Sequence, residues 1–323
     1  MTVGVIGAGS WGVALAQLCA TSGVSTVLWA RRSDAVEEIT RTRCSSYLPG
    51  VLLDDRIEAT ADAEQLRDAS VLLCVVPVQA TRATLTALLS SLPARAPLVL
   101  CSKGLERETL LLPTEIAAEI VANPLAVLSG PSFAADVVRG LPTAVTVGAA
   151  ALDDARALQK LLGTQSFRPY ASDDLIGAQV GGAIKNVLAV ACGIVAARRL
   201  GESARAALVA RGFAEMTRLA LALGARRETL AGLSGMGDLV LTCGSDRSRN
   251  FAAGLRIGDP ACETLALGVS EGTHTAGSAV ALARRHGIEM PICETVHAIL
   301  SDEISVDEGI ESCLLYTSPS PRD

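Results

Sequence analysis

The chain has 323 residues, a formal net charge of −6, and a composition that is 50% hydrophobic, 19% charged and 3% aromatic. So aliphatic a sequence buries a large core, which excludes an intrinsically disordered protein and fits one large or two medium domains. Neither half of the chain is basic and aromatic residues are scarce, which excludes a nucleic-acid surface built on phosphate contacts or base stacking.

In chain order, Thr2–Ile6 is a short β-branched run and predicts the first strand. Trp11–Thr21 has helical apolar spacing, Ser25–Ala30 predicts a second strand, and Asp34–Arg43 a polar helix. Ser70–Val76, Leu98–Cys101, Leu125–Ser129 and Ala144–Val147 are continuous apolar runs, as strands buried on both faces of a parallel sheet should be. Helical patterns lie between them near Gln79–Leu89, Pro113–Val121 and Leu152–Leu162. This alternation predicts an α/β domain over 1–172, a Rossmann-type doubly wound sheet.

The pattern then changes. Asp173–Leu200 and Ser203–Gly224 read as two long helices, with shorter ones near Arg226–Leu230, Thr275–His286 and Glu294–Ser301. A mostly α-helical second domain is therefore expected over 173–312. The final segment, Cys313–Asp323, has two prolines and no periodicity. It is expected to be a non-native junction or a disordered tail.

Leu175–Ala197 is apolar enough to resemble a membrane span, but it carries Lys185, Gln179, Asn186 and several glycines. A closely packed helix of a soluble protein is the expected reading, with no membrane insertion. No basic region precedes the apolar N-terminus, so no signal peptide is read. The nine cysteines are irregularly spaced without a Cys-x-x-Cys, which points to free thiols in a reducing, cytoplasmic setting. His274, His286 and His297 have no metal-ligand spacing, so no metal site is expected.

Three features carry chemistry. Gly7-Ala8-Gly9-Ser10-Trp11-Gly12 is a G-x-G-x-x-G between a predicted strand and a predicted helix. Gly7 would permit the turn, Gly9 would let the backbone approach a pyrophosphate, and Gly12 would let helix and strand pack closely. The second strand ends in Arg31-Arg32 where an NAD-preferring site usually has an acid, so NADP(H) is expected as the preferred cofactor, with NAD(H) the alternative.

Lys185 is the second feature. An ammonium on an apolar helix is costly unless paired, and burial moves a lysine towards the range useful for proton transfer. The third is a set of loops. Lys103 and the Ser129–Ala134 turn each follow a predicted strand, where open α/β sheets bind ligands. Gly232–Asp238 is glycine-dense, and Ser248-Arg249-Asn250 is a donor cluster suited to phosphate or carboxylate.

With those segments in this order, the chain resembles the bacterial NAD(P)-dependent glycerol-3-phosphate dehydrogenases from about Val3 to Glu311. The Gly-Leu-Ser-Gly-Met-Gly-Asp-Leu run and the following Ser-Arg-Asn are far more specific than the glycine fingerprint. The resemblance implies that Lys185 is the catalytic proton donor and acceptor, and that dihydroxyacetone phosphate and sn-glycerol 3-phosphate are interconverted, supplying phospholipid synthesis. It implies substrate contacts at Lys103, Gly130, Ser132, Lys185, Asp238, Ser248, Arg249 and Asn250. It implies cofactor contacts at Gly7, Gly9, Ser10, Trp11, Gly12, Arg31, Arg32, Tyr47, Lys103, Ala134, Arg249, Val269 and Glu271. A homodimer is implied by the resemblance alone.

Two alternatives stay open. Another two-domain NADP-dependent hydroxy-acid or ketopantoate-type dehydrogenase would share the fingerprint and the helix lysine, but would not need a phosphate site at 248–250. A non-enzymatic NADP(H)-sensing module would need neither Lys185 nor Lys103.

Overall fold

The computed structural model of the protein describes residues 1–261 and 271–315. It divides into two units: Met1–Lys103 with Leu112–Ala178, and Gly104–Leu111 with the chain from Gln179 onward. The division falls inside the long apolar helix, a few residues beyond the 172/173 boundary expected from the pattern change.

The first unit is built on an eight-stranded sheet in the order β3-β2-β1-β4-β5-β6-β7-β8. The strands are β1 (Thr2–Ile6), β2 (Ser25–Trp29), β3 (Ile57–Thr60), β4 (Val71–Cys74), β5 (Leu98–Leu100), β6 (Leu125–Ser129), β7 (Thr143–Ala149) and β8 (Phe167–Ser172). Around them lie α1 (Ser10–Thr21), α2 (Ser33–Thr42), α3 (Val78–Leu88), α4 (Pro113–Ala118), α5 (Ala134–Val137) and α6 (Leu152–Leu162). Strands β1 to β6 run parallel, so residues just after them gather on one edge of the sheet. β7 departs from the expected all-parallel order: it pairs antiparallel with β6 and parallel with β8.

The continuous apolar runs are explained by burial on both faces. Val71 and Leu73 of β4 enter one core cluster, with Val5, Val99 and Leu128. Leu72 and Cys74 enter the opposite one, with Ile6, Leu98 and Leu100. Each fully buried side chain of this size contributes roughly 1.5–3 kcal/mol.

The second unit is helical among the described residues. It takes most of α7 (Leu175–Ala197), then α8 (Glu202–Ala222), α9 (Arg227–Ala231), α10 (Asp238–Cys243), α11 (Arg249–Gly258), α12 (Glu271–Arg285), α13 (Pro291–Leu300) and α14 (Val306–Ile310). Of the apolar window that makes α7 resemble a membrane span, 89% is buried inside the protein. Its glycines let neighbours pack at backbone distance: a Cβ at Gly181 would lie 2.5 Å from the Ser234 carbonyl oxygen, and one at Gly193 2.2 Å from that of Phe251.

The glycine-dense segment Leu233–Gly237 is a single π-helical turn leading into α10. The eight described cysteines are free, seven of them buried. The expected tail is ordered at its start. Glu311–Leu315 forms a π-helical turn, Cys313 is buried, and its carbonyl accepts from Arg211. The remainder of that tail, 316–323, lies outside the described residues.

Candidate functional site

The glycine turn connects β1 to α1, at the point where the strand order reverses between β1 and β4. Gly7 has φ +113°, and a Cβ on Gly12 would lie 1.8 Å from the Gly7 carbonyl oxygen, so both positions require glycine. Gly9 is different. A Cβ there would meet no protein atom within 4 Å, so the protein's own packing does not require glycine. The open space lies at the start of α1, whose N-terminus has neither a capping side chain nor an acid in its first turn. Such a terminus offers N–H groups and partial positive charge to an anion. The turn fits a dinucleotide pyrophosphate.

Four further segments converge on this sheet edge. Ser10 donates from Oγ to the Tyr47 carbonyl at 2.8 Å, tying the glycine turn to the loop after α2. Arg31 is exposed just beyond β2. Arg32 behaves differently: it forms a bidentate pair with Asp34 in the first turn of α2, and that carboxylate holds its pKa above the ordinary arginine value. The acid missing from the strand end thus sits two residues further on, facing Arg32. Trp11 and Ala134 pack against the core cluster on this side of the sheet. After β5, Lys103 donates from Nζ to the Gly130 carbonyl at 3.1 Å, and Ser132 Oγ donates to the same oxygen at 3.2 Å. Gly130 has φ +147° and lies against Val145, where a Cβ would come within 2.9 Å.

In the second unit, Lys185 does not snorkel to the surface. It is 6% exposed, and its Nζ donates to Asp238 Oδ1 at 2.8 Å and to Thr242 Oγ1 at 2.7 Å. Asp238 is 1% exposed. The carboxylate supplies the counter-charge that a buried ammonium requires. Thr242, one helical turn after Asp238, donates to the Asp238 carbonyl at 2.6 Å. Thr242 carries no motif of its own in the sequence, and its i+4 spacing from Asp238 on α10 is the one local signal that places it beside that carboxylate.

The neighbouring residue, Asn186, opens a second network. Asn186 Nδ2 donates to Glu271 Oε2 at 3.3 Å, Asn250 Nδ2 donates to Asn186 Oδ1 at 2.9 Å, and the Gly272 N–H donates to Asn250 Oδ1 at 2.8 Å. Asn250 therefore uses its amide to join α7, α11 and α12. Ser248 caps α11, accepting from the Phe251 N–H at 3.3 Å, and leaves its own hydroxyl proton to donate. Arg249 is exposed in the first turn of that helix. Val269 lies outside the described residues.

A glycine turn with room for a pyrophosphate at the switch point of a doubly wound sheet, with a buried lysine–aspartate pair in a following helical unit, fits a nicotinamide-dependent oxidoreductase. Comparison with known proteins narrows the class. Residues 2–155 match the model of the NAD-dependent glycerol-3-phosphate dehydrogenase N-terminus, and residues 174–311 that of the C-terminus. The chain belongs to the NAD-dependent glycerol-3-phosphate dehydrogenase family.

It is 51% identical over 318 residues to the glycerol-3-phosphate dehydrogenase [NAD(P)+] of Parvibaculum lavamentivorans, covering 97% of this chain and 96% of the relative. It is 51% identical over 320 residues to that of Caulobacter vibrioides, with the same coverage. The solved glycerol-3-phosphate dehydrogenase of Coxiella burnetii superposes with a TM-score of 0.92 at 37% identity, covering 98% of this chain and 99% of that one. A ketopantoate reductase from Ralstonia eutropha shares the fold alone, with a TM-score of 0.58 at 16% identity.

Proposed function

We propose that this enzyme reduces dihydroxyacetone phosphate to sn-glycerol 3-phosphate in the cytoplasm, as a homodimer that prefers NADPH and supplies glycerol phosphate for phospholipid synthesis. The observation that carries the chemistry is Lys185, an ammonium buried against Asp238 and Thr242. The relatives' names supply the substrate and the cofactor class. The preference for NADPH rests on Arg31, the exposed strand-end cation, as a binder of the 2′-phosphate.

When bound, the reduced nicotinamide supplies a hydride to the C2 carbonyl carbon. Negative charge then develops on the ketone oxygen, and Lys185 Nζ stabilises it and delivers a proton. Lys185 is left as a neutral amine whose geometry Asp238 and Thr242 maintain, and it regains a proton from water. The balance is one hydride and one proton consumed per ketone reduced. Lys103 adds positive potential at the sheet edge. Arg249, with the Ser248 hydroxyl and Asn250, holds the substrate phosphate, and fixing that end selects the face of C2 presented to the hydride. A protein of net charge −6 binds two anions because the relevant field is local.

Lys185→Ala tests the assignment. It is expected to lower kcat by about 10²–10⁴, the usual weight of a positioned acid–base group. A loss under about threefold would remove Lys185 from the chemistry.

A further inference from the structure

The segment Gly104–Leu111 belongs to the second unit although the chain on either side belongs to the first. It follows Lys103 directly. The segment is closed on itself: the Glu106 N–H donates to the Leu111 carbonyl at 3.0 Å, the Leu110 N–H donates to the Glu106 carbonyl at 2.9 Å, and the Thr109 hydroxyl donates to Glu106 Oε2. Gly104 and Leu110 have φ of +139° and +66°, so the chain enters and leaves through left-handed backbone. Leu105 is buried and anchors the segment, while Arg107 stands exposed.

Arg107 reaches α12. Its Nη2 lies 2.8 Å from Nδ1 of His274, which is 167 residues away in sequence. His274 is in the first turn of α12, three residues after Glu271 and two after Gly272, whose N–H bonds Asn250. A guanidinium carries donors only. Arg107 therefore donates, and Nδ1 must accept with its lone pair, which makes His274 the neutral Nε2–H tautomer. A protonated imidazole has no acceptor, and would place a second cation against the guanidinium. Partial burial and the Arg107 charge both lower the His274 pKa, consistent with a neutral ring at pH 7. The carboxylate at the head of the same helix, Glu271, is engaged by Asn186.

We propose that Arg107 and His274 are positioning residues for the reductase reaction: their contact fixes segment 104–111, which follows Lys103 directly, on α12, which opens at Glu271, and does so only while His274 is neutral. The proposal rests on the reading of Lys103 and Glu271 as binding residues.

The test compares wild type with Arg107→Ala, His274→Ala and His274→Asn, using initial rates of NADPH oxidation at saturating dihydroxyacetone phosphate. Asn is chosen because its Oδ1 offers an acceptor near the position of Nδ1 and cannot be protonated. At about pH 8 the two Ala variants are expected to raise KM for NADPH by about fivefold or more with kcat within about threefold, while His274→Asn stays near wild type. In wild type the same rise in KM should develop as the pH falls below about 6.5, and His274→Asn should not show it. Titration of NADPH fluorescence reads the same factor as a change in Kd without turnover. A protein inactive on this ketone would overturn the proposed reaction and still test the contact. The proposal is overturned if both Ala variants bind NADPH within about twofold of wild type, or if His274→Asn follows the wild-type acid profile.

Discussion

Removing the charge of Asp238 while keeping its shape probes the centre of the helical unit. Lys185 and Asp238 are 6% and 1% exposed, with Nζ and Oδ1 2.8 Å apart. At an effective dielectric of about 20, unit charges at this separation attract by about 6 kcal/mol, against which stands the cost of taking both out of water. The pair's net worth is therefore modest, but breaking it from one side is expensive. Asp238→Asn is expected to destabilise the protein by about 3–5 kcal/mol, because the ammonium keeps its burial and loses its counter-charge. Lys185→Met should cost a similar amount for the mirrored reason. The double variant removes both charges, so its loss should fall short of the sum by about 3 kcal/mol. Urea unfolding of the four proteins, followed by circular dichroism, measures the coupling. Additivity within about 0.5 kcal/mol would refute the reasoning and would mean that the two groups are stabilised independently. Steady-state rates on the same proteins add a second reading, since Asp238→Asn should also lower kcat.

Three further outcomes are expected. Arg31→Asp should shift kcat/KM from NADPH towards NADH by about tenfold or more, with a smaller shift for Arg32→Ala because Arg32 is paired with Asp34; equal effects would mean that the pair opens in the complex. Arg249→Ala should raise KM for dihydroxyacetone phosphate by about tenfold or more, and an unchanged KM would remove Arg249 from the phosphate site. Glu215, buried in α8, accepts the Ile292 and Cys293 N–H groups at 2.8 and 3.2 Å, yet burial pushes its pKa up from 4.5 to about 7. The folded protein therefore binds the extra proton between those values, so stability should fall by about 3 kcal/mol as pH rises from about 4.5 to 7, and Glu215→Gln should flatten that slope. Parallel slopes in the two proteins would show that Glu215 does not titrate there.

Much of the fold is legible because doubly buried strands leave continuous apolar runs. Val71–Cys74 and Leu98–Leu100 are such runs, and both lie inside expected strands. The sheet's outer strands are less legible. β3 is four residues with one exposed glutamate, and β8 alternates buried Phe167 and Pro169 with exposed Arg168 and Tyr170, so neither forms an apolar run. The direction of β7 is set by tertiary pairing, which its Val and Thr content does not encode.

The glycine turn is readable because Gly7 and Gly12 answer to backbone geometry that a local motif captures. The partners of Lys185 are not, since Asp238 lies 53 residues away and only packing joins α7 to α10. Arg32 and Asp34 are only two residues apart, but their pairing depends on side-chain rotamers at the start of α2 that no motif records. Cys313, expected to be tail, is buried in the helical unit.

The most direct test of the account is to mix the purified protein with NADPH and dihydroxyacetone phosphate and follow the absorbance of the reduced cofactor. Rapid loss that requires the phosphorylated ketone is expected, with unphosphorylated dihydroxyacetone about 10²-fold or more less efficient in kcat/KM. Intact NADPH binding with no loss, or equal rates on the two ketones, would contradict it.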